Sequence, residues 1–502
     1  MIRRFKLLFV FAAWACTHAV SSLSFSAEKS AQPNVLLLIT DEHNFRTLGC
    51  YREVMDREQA EMWGLGAVVQ TPNIDRLAHE GVLCTRAYAT APVCSPCRAA
   101  MITGRYPHAT GVPANDLVLD RSIPTLADRL NDVGYRTAFI GKWHLGGTGK
   151  PEWSPEVDGG FQFKKYMFNR GHWKKFVIEN GIPRIGPEKK GIPTYDVDGA
   201  DEQSFSTDWL TDRAIEFVTD KSAEKPFFTV ISYPDPHGPN TVRAPYDHRF
   251  DELPFVPPRT YQTGIEPPKW LGGGKNHPVF RGPDMSKYFG MVQCIDDNIG
   301  RLLKQLETSG QLENTLVIMT SDHGDLCYEH DRQNKGNPYE GSARVPLILR
   351  FPNRIQPGEY YSDPVGTVDI TPTVMGLLDL PANPDDQGRN LSALLADASQ
   401  TRKAGQPSPI TFLRNAGTTA AWVAAVDSRY KLIISINDTP WLFDAAQDPD
   451  ELQNFFGKPE TADVSRRLSI ALRDYGQSVD DPHLANEQIA ASLADILSET
   501  AK

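Results

Sequence analysis

Cysteine is scarce in this chain, and what there is forms no framework. Seven cysteines are spread over 502 residues, at positions 16, 50, 84, 94, 97, 294 and 327, an odd set with no disulfide spacing. No second Cys-x-x-Cys accompanies Cys94 and Cys97, which weighs against a zinc or redox pair. Positive charge is in the minority. The formal net charge is −11, and loss of the basic residues Arg3, Arg4 and Lys6 would make it more negative, so nucleic acid is not an expected partner. Apart from the start of the chain, no apolar run approaches the length of a membrane span, and no transmembrane anchor is expected. Internal repeats and low-complexity tracts are missing too. An anionic substrate would therefore need positive charge gathered in one place.

What is present is an ordinary globular composition, 40% hydrophobic with 38 glycines and 38 prolines, which suits a loop-rich fold. Met1 to about Ser26 reads as a secretory leader, with a basic start, an apolar run from Leu7 to Ala15 and small residues near Ser24 and Ser26. Export to the periplasm or the medium is expected. Cys16 raises a lipoprotein alternative, ranked second because Trp14 fits a lipidation box poorly.

Apolar runs bounded by polar residues alternate with helical patterns. Asn34–Thr40, Arg136–Ile140, Phe227–Tyr233 and Thr315–Thr320 suit strands buried on both faces. Helical periodicity appears after Thr71-Pro72, after Thr125, around Leu210–Val218 and, longest, from Phe289 to Leu306. This alternation predicts an α/β fold, a large mainly parallel sheet flanked by helices over residues 33–385. Beyond it, residues 386–502 read as a smaller α+β domain, with short antiparallel strands such as Trp422–Val426 and Leu432–Ile434 and a terminal helix.

Polar residues fall at the ends of those strands. Asp41 follows the first, Lys142 and His144 the second, His237 the third, and Asp322 with His323 the fourth. Sites in open parallel sheets form outside the carboxyl ends of strands, so the four clusters are expected to converge. Alternate residues of extended chain share a side, which would aim Lys142 and His144 together and Trp143 into the core. Ser95-Pro96 reads as a helix start, since proline at the first helical position gives up no hydrogen bond. Arg98 then lies one turn past Cys94, at a helix mouth that attracts anions.

Cys94-Ser95-Pro96-Cys97-Arg98 resembles the Cys-x-Pro-x-Arg core of sulfatases, and Gly134-Tyr135-Arg136-Thr137-Ala138-Phe139-Ile140-Gly141-Lys142-Trp143-His144 resembles their second signature. The chain is thus similar to formylglycine-dependent sulfatases of the alkaline phosphatase-like superfamily from about Pro33 to Phe456. Cys97 departs from the pattern, which usually has a small hydroxylic residue or alanine there.

The resemblance implies a sulfuric ester hydrolase acting on a sulfated carbohydrate. It implies that a formylglycine-generating enzyme oxidises Cys94 during maturation and that the hydrated aldehyde is the nucleophile. Asp41, Glu42, Asp322 and His323 match the family's metal ligands, with residue 94 completing the set. Calcium is expected first, magnesium or manganese second, because the donors are mostly hard oxygens while His323 offers nitrogen. Glu42 stands where aspartate is usual, and its extra methylene leaves its path to the metal open. Lys142, Lys335 and Arg98 would clamp sulfate, Lys335 lying in the sulfatase-like segment from Lys335 to Pro346. His237 would protonate the leaving oxygen, and His144 would act as base.

Between His144 and Asp201 lie Trp153, Phe161, Lys164, Lys165, Tyr166, Arg170, His172, Trp173, Lys174 and Lys175. They read either as a cationic, aromatic wall for an anionic sugar or as loop aromatics packed on the domain. The segment from Pro239 to Pro283 is a second candidate wall. A phosphodiester or phosphonate hydrolase on the same scaffold, and a non-catalytic binder of sulfated glycans, are the alternatives.

Overall fold

A computed structural model describes residues 32–220, 222–271, 278–397 and 408–498. The expected leader, residues 1–26, lies outside them. From Pro33 onward the chain is one compact unit. An eight-stranded sheet runs through it, from β1 (Asn34–Asp41), β2 (Val82–Cys84), β3 (Arg136–Lys142), β4 (Met167–Phe168), β5 (Phe227–Pro236), β6 (Thr315–Ser321), β7 (Leu347–Arg350) and β8 (Glu359–Tyr361). Their order is β8-β2-β7-β6-β1-β5-β3-β4. The block β6-β1-β5-β3-β4 is parallel throughout, while β7 runs antiparallel to both of its neighbours.

The continuous apolar run of β1 is explained by its two covered faces. Val35, Leu37 and Ile39 join one core with Met101, Leu126, Leu130, Ile370 and Val374. Leu36 and Leu38, pointing the other way, join a second core with Ile74, Leu77, Leu210, Ile295, Ile299 and Leu302. The first core is closed by α2 (Cys94–Thr103), α3 (Leu126–Asp132) and α6 (Ile370–Leu377). The second is closed by α1 (Pro72–His79), α4 (Ser206–Val218) and the 27-residue α5 (Gly282–Thr308). A strand sandwiched this way has no polar face to show, which is why its sequence does not alternate.

The C-terminal part is an antiparallel sheet, β9 (Thr411–Arg414), β10 (Trp422–Val426), β11 (Tyr430–Ser435) and β12 (Trp441–Asp444), covered by α7 (Ala462–Val479) and α8 (Glu487–Ser498). Its core includes Ala100, Tyr106 and Val368 of the preceding chain. Among the described residues, no helix is long and apolar enough to cross a membrane.

Candidate active site

α2 begins two residues earlier than the sequence signal indicated. Val93 is the extended N-cap, Cys94 is the first helical residue and Pro96 the third. The free N–H of Ser95 is taken by Asn115 Oδ1 at 2.9 Å, so the helix mouth is partly satisfied by a side chain. Gly104 ends the helix in a left-handed conformation, φ 74°, which glycine adopts without steric cost.

Around Cys94 the ends of β1, β3, β5 and β6 converge. The Cys94 Sγ lies 3.2 Å from His323 Nε2, 3.9 Å from Asp41 Oδ1 and 3.8 Å from Lys142 Nζ. Asp41, Cys94, Asp322 and His323 are all buried, and their donor atoms lie within 4.8 Å of one another. His323 donates from Nδ1 to the Gly324 carbonyl at 3.0 Å, which leaves Nε2 for the cluster. Two carboxylates, one imidazole nitrogen and residue 94, all shielded from water, suit a divalent cation. Glu42 is not part of that group. Its backbone is left-handed, φ 64°, and its carboxylate is turned to His237 Nε2 at 2.8 Å and Lys335 Nζ at 3.0 Å. Burial alone would raise its pKa, but those two partners bring it down to about 2.

Arg98 is wholly committed to the frame. Nε bonds Asp322 at 2.8 Å, Nη2 bonds Asp41 at 3.3 Å, and Nη1 reaches the Lys142 carbonyl at 2.8 Å and Ser232 Oγ at 2.7 Å. Arg98, expected as part of a sulfate clamp, braces the two carboxylates. Lys142 Nζ bonds Asp41 Oδ2 and lies 2.9 Å from His172 Nε2. Burial opposes ionisation of Asp41, yet Lys142, His237 and Arg98 hold its pKa far below the usual range. The thiol of Cys94 is likewise pulled down against burial by Lys142, Lys335 and His323.

Lys335 Nζ is 2.6 Å from His237 Nε2, and His237 Nδ1 donates to the Gly238 carbonyl at 2.9 Å. His144 does not lie on an extended strand. β3 stops at Lys142, and His144 has φ 62°. A turn rather than alternation sets its ring, with Nε2 3.1 Å from Asp116 Oδ1. Trp143 goes into the core as expected, edge-on to Phe139 with ring centroids 5.1 Å apart.

The insertion resolves mostly to packing. Trp153 lies against Phe168 and Phe176, and Phe161, Tyr166 and Trp173 are buried. Lys174 is buried too, bonded to Asp235 at 2.6 Å and to the His237 carbonyl at 3.0 Å. These aromatics are core, because a long connection beside the sheet edge must bury apolar area of its own. His172 is the exception. Its ring stacks on His237 with centroids 3.4 Å apart, and burial beside Lys142 pushes its pKa well down. Asp41, His172 and His237 form a second metal-compatible group. The ammonium of Lys142 already touches Asp41 and His172 there, standing where a second cation would compete. Cys97 faces away, its Sγ 3.2 Å from Thr367 Oγ1.

The sequence profile described as Sulfatase matches residues 33–380, more than half of the chain. The chain belongs to the sulfatase family. A profile for the N-sulphoglucosamine sulphohydrolase C-terminal region matches residues 328–478. This sulfatase is 30% identical over 478 residues to "Uncharacterized sulfatase YidJ" of Escherichia coli, covering 90% of this chain and 88% of that protein. It is 28% identical to the N-acetylglucosamine-6-O-sulfatase of Bacteroides thetaiotaomicron, over 89% and 87% of the two chains. The solved structure of BT4656 in complex with its substrate D-glucosamine-2-N,6-O-disulfate superposes with a TM-score of 0.72 at 24% identity, covering 90% of this chain and 98% of that one. That likeness carries the fold, a large mostly parallel sheet with helices and a C-terminal antiparallel sheet. Family membership makes the protein a sulfuric ester hydrolase.

Proposed function

We propose that this sulfatase removes sulfate from a sulfated carbohydrate, with residue 94 as formylglycine and a divalent cation, calcium first, held by Asp41, Asp322, His323 and residue 94. The observation that carries the reading is the convergence of Cys94 with Asp41, Asp322 and His323 on one side and with Lys142, Lys335, His144 and His237 on the other. When bound, the cation supplies positive charge for sulfate oxygens and the hydrated aldehyde supplies the attacking oxygen. The chain's own residues do the rest. Arg98 fixes both carboxylates, so the ligand set is pre-formed. Lys142 and Lys335 neutralise the ester's oxygens, and His172 sits on Lys142 where it orients that ammonium. His237 gives a proton from Nε2 to the departing sugar oxygen, and Glu42 holds His237 and Lys335 in place. His144 takes a proton at Nδ1.

The carbohydrate assignment is supported by the named substrate of the 28%-identical relative and by a cavity of about 540 Å³ lined by Thr260, Glu266, Arg332, Tyr339 and Trp441. Arg332 is three residues from Lys335, a reach of about 11 Å at most. We assign to that cavity, which borders the chain leading to Lys335, the sugar units next to the one being cleaved, with the 260–268 loop as one wall. Export by the leader and oxidation of Cys94 by a formylglycine-generating enzyme complete the proposal.

Mass spectrometry of the peptide containing residue 94, from protein purified from its native source, tests it together with turnover. The expected result is an aldehyde at residue 94 and release of sulfate from sulfated sugars. A fully active enzyme with an unmodified thiol refutes it.

A further inference from the structure

We propose that Asp116, clamped by Arg170, is a positioning residue that fixes His144 as its Nε2–H tautomer and leaves its buried Nδ1 unprotonated. The inference rests on the role given to His144 above. Asp116 Oδ1 lies 3.1 Å from His144 Nε2 and 2.8 Å from Arg170 Nη1. A neutral imidazole has one donor and one acceptor nitrogen. With a carboxylate oxygen at Nε2, the proton belongs there and Nδ1 is the acceptor. Nδ1 is buried without a hydrogen-bond partner, so nothing else competes to place the proton there.

The surrounding chain is arranged to hold this relay. The backbone N–H of His144 bonds the Asn169 carbonyl at 2.5 Å, and the next residue, Arg170, supplies the guanidinium that grips Asp116. Asp116 has a left-handed backbone, φ 66°, and directly follows Asn115, which caps the N–H of Ser95. One turn therefore touches both the start of the nucleophile's helix and the far nitrogen of the base. The Asp116 side chain is 35% exposed and that of His144 8%, so the carboxylate sits at the rim while the ring it aims lies inside. The order nucleophile, imidazole, carboxylate is that of other imidazole bases whose orientation is set from behind.

Nitrogen NMR of histidine-labelled protein reads the tautomer directly, with His144 assigned by the signal lost in His144→Ala. The wild type should show the Nε2–H form and Asp116→Ala a mixture or the Nδ1–H form. Asp116→Asn, whose amide oxygen still accepts from Nε2, should restore it. In turnover, Asp116→Ala should lower kcat about 10- to 100-fold with KM little changed, and should add nothing in a His144→Ala background. A wild-type Nδ1–H ring or imidazolium, a tautomer unchanged in Asp116→Ala, or an undiminished Asp116→Ala effect without His144 overturns the proposal. The tautomer does not depend on turnover, so failure of the sulfatase reading would show separately, as an unmodified residue 94 in active enzyme.

Discussion

Replacing Lys431 with methionine tests whether the C-terminal sheet sets the position of the loop that carries Lys335. Lys431, on β11, is buried, and its ammonium makes three bonds of 2.7 Å, to the Pro338 carbonyl, Glu340 Oε1 and Glu451 Oε1. Glu451 Oε2 in turn accepts the Glu340 N–H at 2.8 Å. Pro338 is three residues from Lys335, so the ammonium pins the segment that carries it. Removing one member of a buried charge cluster costs about 3–5 kcal/mol, a large part of the roughly 5–15 kcal/mol by which domains are stable. Burial raises the pKa of Glu451 to about 7 even with Lys431 opposing it, so without the ammonium this group keeps its proton to higher pH. The folded variant then binds more protons than the unfolded chain above pH 7, and its stability falls as pH rises. The deficit relative to wild type should be flat below pH 6 and widen above pH 7, by up to about 1.4 kcal/mol per pH unit for one proton. Urea unfolding at pH 5.5, 7 and 8.5 measures it, and KM for a sulfate ester should rise alongside. A deficit below about 1 kcal/mol at pH 8.5, or one that shrinks with pH, refutes the reasoning.

Two further outcomes are expected. Burial and the charge of Arg46 depress the pKa of His330 to about 3, so the folded state excludes a proton that the unfolded chain binds below pH 6.5; stability should fall as pH drops from 6.5 towards 4. His330→Asn, which tolerates the local φ of 54°, should flatten that limb by up to about one proton's slope in urea midpoints at successive pH values. Removing divalent cations with a chelator should lower the unfolding midpoint, and calcium at about 100 times its Kd should restore about 2.7 kcal/mol; Asp322→Asn should blunt the calcium response, and an equal response in both proteins contradicts the assigned ligands.

Much of this arrangement was legible because it follows from backbone periodicity and strand direction. Asn34–Asp41 had to be buried on both sides, so it had to be a central parallel strand, and Asp41 at its end had to face the site. The same reasoning placed Lys142, His237, Asp322 and His323 at one edge of the sheet. It missed His172, which follows β4, a strand of only Met167 and Phe168. Two residues carry no readable period, although His172 stands beside a strand end as the others do. The aromatics of the insertion were ambiguous because composition does not say whether a ring faces solvent or core, and most of them proved to be core.

The remaining gaps share one cause, which is the conformation of single residues. Glu42 and His144 both have positive φ, a state that L-residues other than glycine adopt at a cost and that no pattern of side chains announces. At Glu42 this turn carries the carboxylate to His237 and Lys335 instead of into the group formed by Asp41, Asp322 and His323. At His144 it ends the strand and presents Nε2 to Asp116, leaving Nδ1 buried and without a hydrogen-bond partner. Both turns are held by surrounding contacts, Tyr288 donating to the Glu42 carbonyl at 2.7 Å and Asn169 accepting from the His144 N–H. Strain that persists only because neighbours fix it is strain placed where the chemistry needs a particular direction. The residues that set those directions, Tyr288, Asn169, Asp116 and Arg170, therefore belong to the working site although none of them lies in a sulfatase motif.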